Sequence, residues 1–423
     1  MLDNPFDGAD SGKTLERILL PRLHDALSDS PAVLIHGPRQ SGKTTLARLV
    51  GEPRGYRYFT FDDTAILTAA QADPIGFVSR LPDRCILDEV QRFPELFVSL
   101  KAEIDRRRVP GRFVLTGSAN VLLLPRLSDS LAGRLEVLRL HPLSQAELSS
   151  SRVSFLDRLL RSDFATGITE RLGPELSQRI IRGGFPAAVA RSVDHRRRAW
   201  YRDYIETQVQ RDVRELARIR SLDVLPKLLR LIAAHTASPL NVSDLAAPFE
   251  LTRATILDYV ELLERVFLID RLPAWHRHQM SRLVKRPKLH IADTGMGCAL
   301  LGLDPLSLDE DRSTLGALLE TFVLQELRRE ASGRVDSIDF YHYRDRDGAR
   351  VDIVVEQGNQ RLAGIEVKAA ASVSPSDLRG LRKLQDMVGD RFKAGVVLYD
   401  GSTVVSFGDR LYAVPIRALW DAL

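Results

Sequence analysis

The stretch of sequence that decides the fold of the first part of the chain is Ile35-His36-Gly37-Pro38-Arg39-Gln40-Ser41-Gly42-Lys43-Thr44-Thr45. It follows a short apolar run and precedes the apolar-periodic start of a helix, so it joins a predicted strand to a predicted helix. A loop of the form G-x-x-x-x-G-K-T in that position binds phosphate, because its backbone N–H groups and the helix N-terminus converge on the β-phosphate. The sequence therefore predicts a nucleoside triphosphate site here.

Individual residues of this loop have predicted roles. Lys43 is predicted to reach the β- and γ-phosphate oxygens, and Thr44 to give its hydroxyl to Mg²⁺. An ordinary glycine-rich turn is the alternative, which the strand, the spacing and the helix together disfavour. The predicted nucleotide-binding residues are Gly37, Pro38, Arg39, Gln40, Ser41, Gly42, Lys43, Thr44 and Thr45.

A second apolar run, Cys85-Ile86-Leu87, ends in the acidic pair Asp88-Glu89. Such a pair downstream of a phosphate-binding loop is typical of the other half of a nucleotide-hydrolysing site. Asp88 is predicted to hold Mg²⁺, usually through water, and Glu89 to polarise the attacking water. The alternative is a strand end that simply enters solvent. The distance from the loop favours the catalytic interpretation.

Two further polar positions are candidates for contact with the γ-phosphate. The predicted strand over residues 112–116 is followed by Ser118 and Asn120, and strand ends of open α/β sheets line the ligand crevice. Ser118 is the first choice for sensing the γ-phosphate or orienting water, and Asn120 the second; the alternative is a turn residue. Arg134 is predicted to clamp the γ-phosphate, in cis or from a neighbouring subunit. A surface arginine after a glycine turn is the alternative.

Composition places the chain among soluble globular proteins of several domains. It has 423 residues, of which 44% are hydrophobic and 27% charged, and its formal net charge is only +4. The two cysteines, Cys85 and Cys298, lack the spacing of a disulfide or metal site and suggest a reducing compartment. No signal-like segment and no apolar run of ~20 residues is present. We expect a cytoplasmic protein without a membrane partner.

The segment from Ser144 to Arg220 has mostly helical patterning, broken by a predicted turn at Gly183-Gly184-Phe185-Pro186. Residues 196–220 predict a long amphipathic helix. Arg211 on this helix is a candidate sensor arginine that reaches the nucleotide from a helical lid. A salt bridge to the neighbouring Asp212 or Glu215 is the alternative.

Residues 222–275 predict helix, helix, helix and strand, the pattern of a helix-turn-helix followed by a wing. The third helix, which begins at Thr252, is the one that could enter a major groove. The segment 271–292 contains six Lys and Arg residues, three histidines and no acid, so it could neutralise phosphates. This favours a nucleic acid partner, most readily DNA. A module that only packs against protein is the alternative.

The last part of the chain carries a different set of polar residues. Glu320 lies on a predicted helix, Asp352 on a strand, and Glu366-x-Lys368 on the next strand, an order that resembles the PD-(D/E)xK nuclease fold. Alternation puts Glu366 and Lys368 on one face of their strand. Glu320, Asp352 and Glu366 could then form a carboxylate cage for Mg²⁺, with Lys368 steering water or the leaving oxygen. A scaffold kept for binding alone is the alternative.

Several motifs together carry a family resemblance over nearly the whole chain. The segments GPRQSGKTTL, LDEVQRFPEL, FVLTGSAN and SLAGR, in this order, resemble the ATPase domain of a prokaryotic group of AAA-type proteins that end in a domain of unknown function. The resemblance implies ATP and Mg²⁺ as cofactors. It also implies a parallel five-stranded sheet with the catalytic glutamate directly after the Mg²⁺ aspartate.

The predicted fold class is α/β and multi-domain. We expect an AAA-type P-loop ATPase domain over residues 1–145, a helical lid over 146–220, a winged helix over 221–292 and a restriction-endonuclease-like α/β domain over 293–423. The first functional hypothesis is a DNA-associated ATPase whose last domain binds or cleaves nucleic acid. The second is a regulatory ATPase switch that acts on a protein partner without nuclease activity. A homo-oligomer is expected if Arg134 acts in trans.

Overall fold

The computed structural model describes residues 15–119, 133–213, 222–277, 282 and 285–422. Over these residues the chain forms sheets of five, three and six strands. None of the helices in these ranges is both long and apolar enough to cross a membrane.

The first domain is an α/β layer structure around a parallel sheet. Its helices are α1 (Leu20–Asp29), α2 (Lys43–Gly51), α3 (Thr64–Ala72), α4 (Pro74–Ser79) and α5 (Leu96–Arg106). Its strands are β1 (Ala32–His36), β2 (Arg57–Thr60), β3 (Cys85–Asp88), β4 (Phe113–Gly117) and β5 (Leu135–Arg139). The five-stranded sheet has the order β2-β3-β4-β1-β5, and its neighbours pair in parallel. This confirms the predicted parallel sheet of five strands.

Both faces of this sheet are buried, which explains why its strands are continuous apolar runs. Successive residues of β1 point to opposite faces. Ala32 and Leu34 join a core with α5, while Val33 and Ile35 join a second core with α1 and α2. Because all strands run in one direction, the residues that follow β1, β3 and β4 meet at one edge of the sheet.

The helical segment that follows consists of short helices and one longer one. These are α6 (Gln145–Leu148), α7 (Phe155–Arg161), α8 (Pro174–Arg182), α9 (Pro186–Val189) and α10 (Asp194–Thr207), with a π-helix over Gln208–Val213. The predicted single helix over 196–220 therefore changes to π geometry after Thr207. Phe185, Trp200 and Tyr204 form an aromatic cluster, with the Phe185 and Tyr204 ring centroids 4.8 Å apart.

Gly183 and Gly184 make the predicted turn between α8 and α9, and they also fill a tightly packed junction. Gly183 has φ +66° and ψ −160°, a conformation open essentially only to glycine. A Cβ on Gly183 would overlap both Asp293 Oδ1 and the Tyr201 hydroxyl. The Gly184 N–H donates to Asp293 Oδ2 at 2.8 Å. These glycines therefore permit close contact between the helical segment and the later part of the chain.

Residues 222–291 form a small unit of helices and a three-stranded antiparallel sheet. In chain order its elements are α11 (Val224–Ala234), β6 (Ser238–Pro239), α12 (Val242–Ala246), α13 (Arg253–Arg265), β7 (Ile269–Leu272) and β8 (Lys288–Ile291). The sheet order is β6-β8-β7. Ile256, Val260 and Leu263 of α13 are buried against this unit's own core, so that face of the helix is not available to a partner.

The last domain is built on a mixed six-stranded sheet of order β13-β14-β12-β11-β10-β9. Its strands are β9 (Ile338–Arg344), β10 (Arg350–Gln357), β11 (Arg361–Lys368), β12 (Phe392–Tyr399), β13 (Val405–Ser406) and β14 (Leu411–Pro415). Its helices, with two short ones that lead into it, are α14 (Thr294–Leu301), α15 (Pro305–Glu310), α16 (Arg312–Ser332) and α17 (Arg379–Val388). Helix α16 packs on one face of the sheet and α17 on the other.

Candidate functional site

The predicted phosphate-binding loop lies between β1 and α2, and its glycines have the backbone geometry that the motif needs. Gly42, the N-cap of α2, has φ +99°. A Cβ on Gly37 would overlap the carbonyl oxygen of Leu140. Lys43 is 5% exposed and its Nζ donates to the Pro38 carbonyl at 2.9 Å, so the ammonium group lies across the loop. The loop thus presents backbone N–H groups and a buried cation at the start of a helix.

Two side chains that the sequence did not single out support this loop from outside. The buried Arg17 guanidinium donates to the Ser41 carbonyl at 2.8 Å and to Glu147 Oε1 at 3.0 Å. The Tyr204 hydroxyl of α10 donates to the Arg39 carbonyl at 3.3 Å. Arg17 lies 130 residues from Glu147, so no local pattern indicates their contact. The helical segment therefore touches the loop directly, as a lid would.

Asp88 lies at the end of β3 and is at the centre of a hydrogen-bond network beside the loop. The Thr44 hydroxyl lies 2.9 Å from Asp88 Oδ1, and the Tyr58 hydroxyl donates to Asp88 Oδ2 at 2.7 Å. The Thr116 hydroxyl also donates to Asp88. Burial, with the Asp88 hydrogen bond second, raises the pKa of Tyr58 to about 12. A hydroxyl and a carboxylate in contact beside a phosphate-binding loop are suitable oxygen ligands for Mg²⁺.

Glu89 follows Asp88 in a left-handed conformation, with φ +58° and ψ +45°. Left-handed non-glycine residues are uncommon and concentrate at functional sites. Glu89 Oε2 accepts the Ser118 hydroxyl at 3.1 Å and also accepts the Gln91 side-chain amide. The structure therefore brings the predicted residues Glu89 and Ser118 together at the ends of β3 and β4. Gln91 is a contact that the sequence did not predict.

Arg134 does not reach this edge of the sheet in its own chain. It directly precedes β5, and β5 pairs with β1 in parallel from Leu135 opposite Ala32, so Arg134 lies at the edge opposite the loop. There its guanidinium forms an ion pair with Asp105 at 2.5 Å. The prediction of a γ-phosphate clamp in cis is therefore wrong. The Arg211 side chain and Asn120 lie outside the described residues.

Glu320, Asp352 and Glu366 come together in the last domain, as predicted, but they surround a lysine. Lys288 Nζ of β8 lies 2.6 Å from Glu320 Oε1 and 3.5 Å from Asp352 Oδ1. Glu366 interacts with Asp352, so these two carboxyl groups lie side by side. Burial, then the Asp352 charge, raises the pKa of Glu320 to about 8 and that of Glu366 well above its usual value.

The predicted metal cage of Glu320, Asp352 and Glu366 is therefore wrong for this arrangement. In the described part of the chain, no group of three or more His, Cys, Asp or Glu side chains is placed to hold a metal ion. The physical reason is that the Lys288 ammonium already lies among these carboxyl groups and pairs with Glu320 and Asp352. Lys368, predicted to steer water or the leaving oxygen, instead forms an ion pair with Asp377 at 2.5 Å.

Replacing Lys288 by methionine is expected to lower the free energy of unfolding by about 3–5 kcal/mol, because it leaves buried carboxylates without their counter-ion. The change is measured from urea unfolding curves. The matched control is Lys383→Met, since Lys383 also pairs with two carboxylates, Asp345 and Asp347, but at the surface. The control should leave stability nearly unchanged. Stabilisation of the wild-type protein by millimolar Mn²⁺ that Glu320→Gln abolishes would contradict this arrangement, because it would show that the cluster holds a metal ion with Lys288 present.

The acid-free segment 271–292 is less available to phosphates than its composition suggests. Arg271 pairs with Glu264 at 3.0 Å and Arg282 pairs with Glu356 at 2.7 Å, in addition to the Lys288 contacts. Three of the six cations are thus used in ion pairs within the chain. Arg277, Lys285 and Arg286 are exposed.

Family models match most of the chain in three parts. An AAA domain matches residues 29–149. Two domains of unknown function, DUF8612 and DUF4143, match residues 173–307 and 315–419. The first match coincides with the parallel sheet and the loop described above.

The chain is also similar to whole proteins. It is 31% identical over 395 residues to the uncharacterized protein Rv2008c of Mycobacterium tuberculosis, covering 93% of this chain and 82% of that protein. It is 22% identical to the uncharacterized protein MJ1544 of Methanocaldococcus jannaschii, covering 92% and 87%. Among solved structures, the Walker-type ATPase PABY2304 of Pyrococcus abyssi is 15% identical with a TM-score of 0.44, covering 68% of this chain and 96% of that one.

Proposed function

The chain belongs to the same family as Rv2008c of Mycobacterium tuberculosis, and we propose that its AAA domain binds ATP with Mg²⁺ and hydrolyses it at the ends of β1, β3 and β4. The observation that carries the proposal is the contact of Thr44 with Asp88 at 2.9 Å, directly before Glu89. Loop hydroxyl, strand-end aspartate and following glutamate are the parts that phosphoryl transfer needs in one place.

The residues of the site have distinct roles in this proposal. Lys43 exchanges the Pro38 carbonyl for phosphate oxygens, and the loop N–H groups hold the β-phosphate. Thr44 and Asp88 would hold Mg²⁺, which supplies charge neutralisation at the β- and γ-phosphate oxygens when bound. Glu89 orients the attacking water and accepts its proton. Ser118 holds Glu89 and contacts the γ-phosphate side of the site.

The predicted roles of Arg134 and Arg211 are additional proposals. Arg134 could contribute only from a neighbouring subunit, in a homo-oligomer, because of its position at the far edge of the sheet. Arg211 follows helix α10, which contacts the loop through Tyr204, and this contact supports a sensor role for Arg211 from the lid. Neither is needed for the hydrolysis proposed here.

A second proposal concerns what hydrolysis controls: a nucleic acid, bound but not cleaved. The order helix, strand, helix, helix, strand, strand over residues 224–291 supports the predicted winged helix. The first turn of α13, from Arg253 to Thr255, is at least partly exposed, and so are Lys285 and Arg286 of the basic segment. The lysine among Glu320, Asp352 and Glu366 supports binding over metal-dependent cleavage by the last domain.

The ATPase rate and nucleic acid binding should be measured together, with duplex and single-stranded DNA, beside a nuclease gel with Mg²⁺ and Mn²⁺. We expect DNA to stimulate hydrolysis, binding to weaken steeply with added salt, and no cleavage. The double variant Lys285→Ala and Arg286→Ala should weaken binding to all sequences alike. Arg107→Ala with Arg108→Ala, an exposed pair on the first domain, is the matched control. ATP turnover without any DNA effect would favour the alternative, a regulatory switch on a protein partner.

A further inference from the structure

Gln91 lies between Glu89 and Ser118 and uses both ends of its side-chain amide. Its Nε2 donates to Glu89 Oε2 and, at 2.9 Å, to Ser118 Oγ. Its Oε1 accepts the Ser118 backbone N–H at 3.2 Å. The amide therefore cannot turn over without losing all three hydrogen bonds. It connects the residue after β3 to the residue after β4.

The two carboxylate oxygens of Glu89 differ in their hydrogen bonds. Oε2 accepts hydrogen bonds from both Gln91 and Ser118, whereas over the described residues Oε1 accepts none. A carboxylate that orients water needs one oxygen that faces the water, and the carboxylate group itself must be held in a fixed orientation. Hydrogen bonds from neighbouring groups fix such directions, because they remove the rotational freedom of the side chain. The arrangement leaves Oε1 for water.

We infer that Gln91 is a positioning residue for ATP hydrolysis, whose amide holds Glu89 with Oε2 fixed and Oε1 turned toward the attacking water. The inference rests on the proposed function, because it assigns a role within that reaction. Gln91 touches neither nucleotide nor water in this assignment and acts only through Glu89 and Ser118. The backbone of Glu89 is also in a left-handed conformation, with φ +58°, which costs a non-glycine residue strain.

Replacing Gln91 by alanine is expected to lower kcat for ATP hydrolysis by about 100-fold, as a small misplacement of a catalytic group does. KM should change by no more than about twofold, because Lys43 and the loop N–H groups, which hold the phosphates, are untouched. Gln71→Ala is the matched control, since Gln71 is an exposed glutamine of α3 in the same domain. That control should keep the wild-type kcat.

Gln91→Glu separates positioning from a general loss of structure through its pH profile. Two carboxyl groups in hydrogen-bond contact hold one proton between them at lower pH. The introduced carboxyl group, while it is protonated, donates to Glu89 as the amide did, so activity is partly kept. At higher pH both groups ionise, the bond is lost and the charges repel. The ratio of variant to wild-type kcat should therefore fall as pH rises. Asp88 and Lys43 also belong to this site, but both proteins contain them, so they do not account for a change in the ratio.

The possible outcomes test the role of Gln91 and the ATPase proposal separately. A large fall in kcat for Gln91→Ala together with a pH-dependent ratio for Gln91→Glu supports the inference. The inference is overturned if the wild type hydrolyses ATP and the Gln91→Ala variant has the same kcat, or if the ratio of Gln91→Glu to wild-type kcat does not change with pH. Either result leaves the ATPase proposal standing. A wild-type protein that binds ATP but never hydrolyses it overturns both.

Discussion

Replacing Glu89 by glutamine is expected to lower kcat for ATP hydrolysis by about 10²- to 10⁴-fold while ATP still binds. Glutamine keeps the shape of the side chain and can keep its contacts with Gln91 and Ser118. It cannot accept a proton from water. In the proposed site the loop holds the nucleotide and Thr44 and Asp88 would hold Mg²⁺, and the change leaves these residues in place. The measurements are steady-state hydrolysis with Mg²⁺ and the Kd of a fluorescent ATP analogue.

The matched control for this prediction is Glu95→Gln. Glu95 is an exposed glutamate six residues further along, directly before α5. Its replacement should change neither kcat nor Kd. Full hydrolysis by the Glu89→Gln variant would remove Glu89 from the mechanism, and Asp88 or a lid residue would then have to orient the water.

The sequence predicts the nucleotide site well because its parts are local. The phosphate-binding loop needs a strand, a spacing of glycines and a helix, all within one segment, and Asp88-Glu89 needs only an apolar strand before it. Arg17 and Tyr58 could not be predicted in the same way. Each contacts the site through the fold: Tyr58 comes from the neighbouring strand β2, and Arg17 from a segment that reaches the loop from outside.

Arg134 shows how strand direction limits what a motif can mean. In a parallel sheet, residues that follow strands share one edge and residues that precede strands share the other. Ser118 follows β4 and lies with Glu89, whereas Arg134 precedes β5 and lies with Asp105. The sequence places Arg134 before its predicted strand, so the direction rule could have excluded the role in cis.

The carboxylate cluster shows a different limit. Order along the chain correctly predicts that Glu320, Asp352 and Glu366 meet. It cannot predict what neutralises them, because the cation comes from β8, 32 residues before Glu320. A metal ion and a lysine ammonium satisfy buried carboxylates by the same attraction, and only the packing of β8 beside α16 and β10 decides between them here.

Gly183→Ala is expected to destabilise the protein by about 3–5 kcal/mol, the largest stability effect that we predict for a single methyl group. The backbone conformation of Gly183 costs any other residue strain, and the added Cβ overlaps Asp293 and Tyr201. Asp293 is fully buried and accepts the Tyr201 hydroxyl at 2.8 Å and the Gly184 N–H at 2.8 Å. Displacing it therefore breaks several buried hydrogen bonds at once. The measurement is the free energy of unfolding, obtained from urea unfolding curves of the variant and the wild type.

Gly389→Ala separates the two causes of this loss. Gly389 has a similar backbone, with φ +60° and ψ −128°, but nothing lies within 4 Å of a Cβ built on it. Its replacement should cost about 1–3 kcal/mol, the strain alone. Adding Tyr201→Phe to Gly183→Ala removes one of the overlapping atoms. The double variant should therefore lose less stability than the sum of the losses of the two single variants. Equal losses for Gly183→Ala and Gly389→Ala would mean that Gly183 is required only as a turn, and that close contact with Asp293 contributes nothing to stability.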